Sequence, residues 1–258
     1  MTMFKSTPKK STASPAFYAS PRFLRRPVWR DWWTLLHPPY TMLHLSYVVI
    51  GACLVGPVNV FRLVLTVLAF FLAVGVGAHA LDELHGRPLS TSISSRQLGT
   101  AAVLGLGGAV ALGVVGVVQV NAYLLVFMAA GVLVAVVYNL ELFHGRFHSD
   151  AVFALSWGAF PLLTSYYAQH GALSVGALFS AAFAALLSQT QRQLSTPARD
   201  IRRRTVSIEG RQELTNGSVV PITERSLLAP LEGALRSLCW ASVALAIALL
   251  CVRFVPHF

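Results

Sequence analysis

The sequence predicts an all-α, polytopic membrane protein, a transmembrane helix bundle of about seven spans, on three observations. Hydrophobic residues make up 55% of the 258 and charged residues only 12%, with a mean hydropathy of +0.63; that is the composition of a chain solvated by lipid. Apolar stretches recur, each near the roughly 17–25 residues that cross a bilayer. The arginines and lysines gather in alternate connections, as membrane topogenesis requires.

Residues 1–38 are polar and basic and lack the apolar core of a signal peptide. They are expected to form a cytoplasmic tail, disordered over 1–20, with an interfacial segment at Trp32 and Trp33 leading into the bilayer. The bundle occupies 39–258, with spans expected at 40–57, 59–82, 98–118, 121–139, 150–168, 173–192 and 228–252. Gly75, Gly77, Gly105 and Gly108 are small residues that let membrane helices approach one another.

With the N-terminus inside, the tail, Arg87, Arg96, Arg146 and the arginines between 192 and 225 all fall on the cytoplasmic side, whereas Arg62 and Arg253 fall on the other. The expected location is the cell inner membrane, N-terminus cytoplasmic and C-terminus opposite. The polar loops 83–97, 140–149 and 193–227 then share one face, so any chemistry belongs there. The net charge of +10 reads as contact with anionic membrane lipids rather than nucleic acid, because no basic segment is large enough to fold alone. Cys53, Cys239 and Cys251 have no spacing that suggests a disulfide or a metal.

Three clusters carry candidate chemistry. Asp82 and Glu83 are two of only ten acidic residues, adjacent at the end of an apolar run, and ionisable groups at that depth point to function. His79 lies three and four residues before them, on one helical face. Carboxylates with phosphate suit Mg²⁺, histidine with carboxylate suits zinc or iron, and a solvated helix end with either acid paired to Arg87 is the plain alternative. Glu141, His144 and His148 form a second histidine–carboxylate cluster, on one face if the helix runs through them, or ordinary interfacial residues if Gly145 ends it. In the third cluster Thr196-Pro197 reads as the start of a short helix whose Arg199, Arg202, Arg203 and Arg204 grip a diphosphate or serve as topogenic charge.

The order of these pieces resembles the UbiA superfamily of intramembrane prenyltransferases over roughly residues 33–200. Trp33 to Pro38 sits at the entry to the first helix, Ala78-His79-Ala80-Leu81-Asp82 on the first Asp-rich motif, and Gly86-Arg87-Pro88-Leu89 on its continuation. Tyr138-Asn139 matches the loop after the fourth helix, and Phe160-Pro161 through Tyr166-Tyr167 the fifth. The chain departs from the family in motif one, where Asp82 alone is retained, in lacking the second Asp-rich motif, and in its shortened C-terminus.

The resemblance implies transfer of an isoprenoid from its diphosphate at the cytoplasmic face. Asp82 and Glu83 would hold Mg²⁺, Arg87 with Arg199 or Arg202 would neutralise the leaving group, and Tyr138 or Tyr166 would face the carbocation, with His79 and Asn139 contacting substrate. Two alternatives stand beside it. One is a non-catalytic accessory subunit that binds a lipid or pigment within a larger membrane complex; the other is a histidine–carboxylate metalloenzyme using a transition metal.

Overall fold

The computed structural model describes residues 27–255; the tail expected over 1–38 lies outside the described residues as far as residue 26. Helix α1 (Pro27–Leu36) carries the tryptophan pair and turns at His37, in the left-handed region at φ 49°, into α2 (Pro38–Cys53). Two prolines suit that start, since the first helical N–H groups need no partner. Helix α3 (Val60–Gly86) is capped by Asn59 and contains a π-helical stretch, Phe71–Ala78. Helix α4 (Ser95–Gln119) begins with a reciprocal Ser94–Gln97 capping box, and α5 is Leu124–Asn139. Asp150–Ala154, the π-helical Leu155–Ala159 and Phe160–His170 together make α6, 150–170, which ends at Gly171 in the left-handed region. Helix α7 (Val175–Arg203), the exposed antiparallel hairpin β1 (Arg211–Glu213) and β2 (Val219–Pro221), and α8 (Glu224–Phe254) complete the chain.

Among the described residues, α3, α4 and α8 are long and apolar enough to cross a membrane, and α5 is a shorter apolar helix. Helices α2 and α5, at 16 residues each, are about 24 Å long, short of the roughly 30 Å hydrocarbon core. Large apolar side chains on the outside of the bundle, among them Val103, Val118, Phe179 and Leu186, are exposed, an exterior made for lipid.

Helix α2 packs between α6 and α8. Leu43, Tyr47 and Ile50 bury there against Leu162, Ala184 and Cys239. Small residues set the closest approaches, as membrane packing predicts. A Cβ on Gly105 would stand 2.7 Å from the Leu72 carbonyl oxygen and 2.8 Å from the Gly77 nitrogen, so α3 and α4 touch backbone to backbone. Gly51 meets the Leu162 carbonyl in the same way.

Three local expectations are corrected. Helix α7 runs through Pro197 instead of restarting at Thr196; ion pairs from Arg192 to Asp150 and from Arg202 to Glu232 anchor it on both sides of a residue that would break an isolated helix. Helix α5 stops at Asn139, and Glu141, Phe143 and His144 adopt positive φ, so Glu141, His144 and His148 share no helical face. The segment 193–227 is not all loop, since it holds the end of α7 and the β1–β2 hairpin.

A polar cavity as candidate functional site

The two ends of the bundle differ in kind. One is a tight polar seam: the Gln169 amide receives the Asn59 N–H at 2.9 Å, the Tyr167 hydroxyl donates to Asn121 at 2.9 Å, and Arg62 donates to the carbonyls of Gln119, Ala168 and Gln169. The other is hollow. There a cavity of about 790 Å³ opens among α2, α3, α5, α6 and α7. Both π-helical stretches line it, through Val74 and Ala78 from the first and Trp157 from the second. Such widened turns re-aim side chains and recur at functional sites.

The rim is ionic. Asp82 lines the cavity with Arg199 and Arg203, and the same three residues line a smaller adjoining pocket with Arg202. Among the described residues Asp82 has no hydrogen-bond or salt-bridge partner, although both arginines act on it electrostatically. Among the described residues Arg199 donates only to Thr196 Oγ1, at 3.1 Å. The Arg203 Nε is buried with no hydrogen-bond partner among the described residues, and burial, then the neighbouring Arg199, push its pKa down. Among the described residues neither arginine forms a salt bridge, although Asp82 acts on Arg203 at a distance, and two cations so held favour an anion from outside.

The wall is aromatic. Tyr138 stacks on His148 at 4.3 Å and meets Trp157 edge-on at 5.9 Å. Its hydroxyl accepts from Arg192 at 2.8 Å, and the Arg192 guanidinium lies 5.0 Å from the Phe153 ring centroid. The Asn139 amide donates to the Ala135 carbonyl at 2.7 Å and also borders the cavity. His79 donates through Nδ1 to the Gly75 carbonyl at 3.3 Å, with its ring 5.7 Å from that of His37.

Compared with family models, with curated proteins and with solved structures, the chain has no match. Its function has to be argued from this geometry.

Of the residues expected at the site, Asp82, His79, Tyr138, Asn139 and Arg199 meet at the cavity. Four do not. Glu83 is fully buried and points elsewhere: Oε2 accepts from the Leu89 N–H at 2.9 Å, and Oε1 from the Thr91 N–H and hydroxyl at 2.8 and 2.9 Å. Adjacent helical residues diverge by about 100°, so Asp82 faces the hollow while Glu83 fastens the following loop. Arg87 donates to the Ile93 carbonyl and to Ser95, not to either acid. Arg202 pairs with Glu232 of α8 and reaches only the smaller pocket. Tyr166 donates to Ser174 Oγ at 2.8 Å, at the opposite end of the bundle.

The carboxylate pair expected to hold Mg²⁺ is thereby reduced to Asp82. The remaining acids at the rim are engaged or remote: Asp150 with Arg192, Asp200 with Arg204, and Glu141 beside His148 and His85. Among the described residues no three His, Cys, Asp or Glu side chains assemble into a metal-holding group. His44, which sequence reasoning passed over, also lines the cavity, as does Gln191 of the third cluster. His44 is a polar residue inside an apolar stretch, and that alone marks a membrane residue for scrutiny.

Proposed function

We propose that the cavity is the substrate site of a prenyltransferase-like membrane enzyme that draws an isoprenoid diphosphate from the lipid phase. The observation that carries this reading is the meeting of Asp82 with the guanidiniums of Arg199 and Arg203, neither in a salt bridge among the described residues, above an aromatic wall. A diphosphate head suits the rim, and an apolar tail suits what lies beneath. Beside Val74 and Trp157 an apolar groove continues between α3, α4, α5 and α6. The order of motifs shared with UbiA prenyltransferases points the same way.

In this reading the allylic carbon–oxygen bond breaks and its electron pair leaves with the diphosphate, whose growing charge Arg199 and Arg203 neutralise. The acceptor's nucleophilic atom bonds to the allylic carbon, and the proton it releases passes to the Asp82 carboxylate. The Tyr138 and Trp157 rings offer their faces to the transient cation. No step is assigned to a metal ion. The seven-span arrangement belongs to the same proposal, with α2, α5, α6 and α7 crossing alongside the three long apolar helices and the arginine-rich end in the cytoplasm.

The test uses the purified full chain in lipid nanodiscs with an isotope-labelled allylic prenyl diphosphate. Wild type should bind and consume it; Arg199→Ala/Arg203→Ala should weaken binding by about tenfold or more, and Asp82→Asn should bind normally without turnover. Absence of binding by wild type would end the proposal.

One observation favours a second reading. Asp82 stands without a second carboxylate because Glu83 is committed to the loop, which fits a degenerate site that holds the same amphiphile as an accessory subunit. Tight binding without turnover, together with a stoichiometric partner that copurifies, would select it.

A further inference from the structure

Among the described residues the β1–β2 hairpin packs on itself and on no helix to any extent. Every residue from Arg211 to Val220 is exposed. A two-stranded hairpin alone is marginal in water, and a third strand or a packed face normally completes it. Its two edges differ. The Ile222 N–H donates to the Gly210 carbonyl at 3.0 Å and the Leu214 N–H to the Ser218 carbonyl at 2.9 Å, with Gln212 opposite Val220 between them. Pairing alternates along an antiparallel ladder, so the N–H and C=O groups of Arg211 and Glu213 face away from β2. On the outer edge of β2 the corresponding residues are Val219 and Pro221. Proline has no N–H to offer, which blunts that side. The open edge is β1, and among the described residues neither the Arg211 nor the Glu213 side chain has an ion-pair or hydrogen-bond partner.

We propose that β1 pairs with β1 of a second copy of this chain, antiparallel and centred on Gln212, so that two hairpins join into one four-stranded sheet. The strand Arg211-Gln212-Glu213 is its own complement: with two copies antiparallel about Gln212, Arg211 of each lies opposite Glu213 of the other. These are the residues whose backbone groups are free, so both ion pairs fall at hydrogen-bonded positions and the two glutamines at the narrow position between them. The charges also fix the register. Sliding one strand by two residues, the next register that the alternation allows, sets Arg211 against Arg211 or Glu213 against Glu213. Opposite charges directly across a strand pair are favourable and like charges unfavourable. The contact uses the same patch on both copies, as a two-fold dimer requires. It goes beyond the prenyl-transfer reading and does not depend on the chemistry of the cavity.

The experiment uses the full chain in the membranes of its expression host, with Cys251, the exposed native cysteine, replaced by serine. Gln212→Cys puts two thiols across the narrow pair, where Cα atoms about 4.5 Å apart lie within disulfide range. Mild oxidation should give a covalent dimer in about tenfold higher yield than Thr215→Cys, at the equally exposed hairpin tip. In the Gln212→Cys background, Arg211→Glu and Glu213→Arg should each cut that yield about fivefold or more, because two attractive pairs become repulsive. The double reversal Arg211→Glu/Glu213→Arg should restore it. Coexpressing the two single variants should restore it as well, since one chain then carries two acids on β1 and the other two arginines. Equal crosslinking from positions 212 and 215 overturns the proposal, and so do single reversals without effect or combined reversals that fail to recover the dimer. Capture of a foreign protein by the cysteine at 212, in place of a second copy, also overturns it and gives the edge to another strand.

Discussion

Arg192 of α7 donates to the Tyr138 hydroxyl of α5 at 2.8 Å while pairing with Asp150 at the start of α6. One guanidinium thus ties together the three helices that form one side of the cavity. Its side chain is 13% exposed and that of Asp150 61%, so the two ends of the pair differ in what they lose. Arg192→Met strands a buried hydroxyl and is expected to cost about 1–3 kcal/mol. Asp150→Asn removes a solvent-screened partner and should cost below about 1 kcal/mol. Thermal unfolding in one detergent, read for both variants, checks the order.

Glu83 and Asp82 are neighbours in sequence with opposite expected phenotypes. Both Glu83 oxygens accept from the 89–91 loop, and an amide there would turn a donor toward a donor. Glu83→Gln should therefore destabilise the protein by about 2 kcal/mol or more. Asp82→Asn, which neutralises a half-buried carboxylate without hydrogen-bond partners, should leave stability unchanged or raise it. Unfolding temperatures that fall for Asp82→Asn and not for Glu83→Gln would reverse the assignment of the two acids.

What the sequence made legible follows from the physics of each signal. Apolar length announced the helices, since a span must be long and greasy wherever it sits. The convergence of Asp82 with Arg199 could be anticipated because topogenic charge places their segments on one face. Glu83 could not be told apart from Asp82, because the 100° turn that separates them matters only once a neighbouring loop is in place to accept one of them. Pro197 misled because local propensity yields to the ion pairs flanking it, and those pairs are invisible in sequence. His44 was visible as a polar residue in an apolar run, whereas Gln191 sits in a polar one; what could not be seen was that α2 and α7 bring them to the same hollow.

Gly105 supplies a test of the packing that shapes the bundle. A methyl group at that position would intrude on the Leu72 carbonyl and the Gly77 nitrogen, both backbone atoms unable to swing aside. Gly105→Ala should force α3 from α4 and cost about 1–3 kcal/mol. Gly107→Ala, where nothing lies within 4 Å, should be neutral or slightly stabilising. The paired variants compared by thermal unfolding isolate the contact from any general effect of alanine.

The rim also predicts how binding responds to chelators and salt. With Glu83 turned away and the other acids at the rim engaged, attraction for a diphosphate falls to Arg199 and Arg203 rather than to a carboxylate-bound cation. Removing divalent metals with EDTA should then change the affinity for a prenyl diphosphate by less than about threefold, because a metal-dependent head-group site would lose most of its binding. Raising the ionic strength from about 0.1 M to about 1 M, which shortens the Debye length from about 10 Å to about 3 Å, should weaken binding markedly. That salt response should shrink in Arg199→Ala/Arg203→Ala. A loss of affinity in EDTA greater than about tenfold, with little response to salt, would place a metal ion at Asp82 and move the arginines to a supporting role.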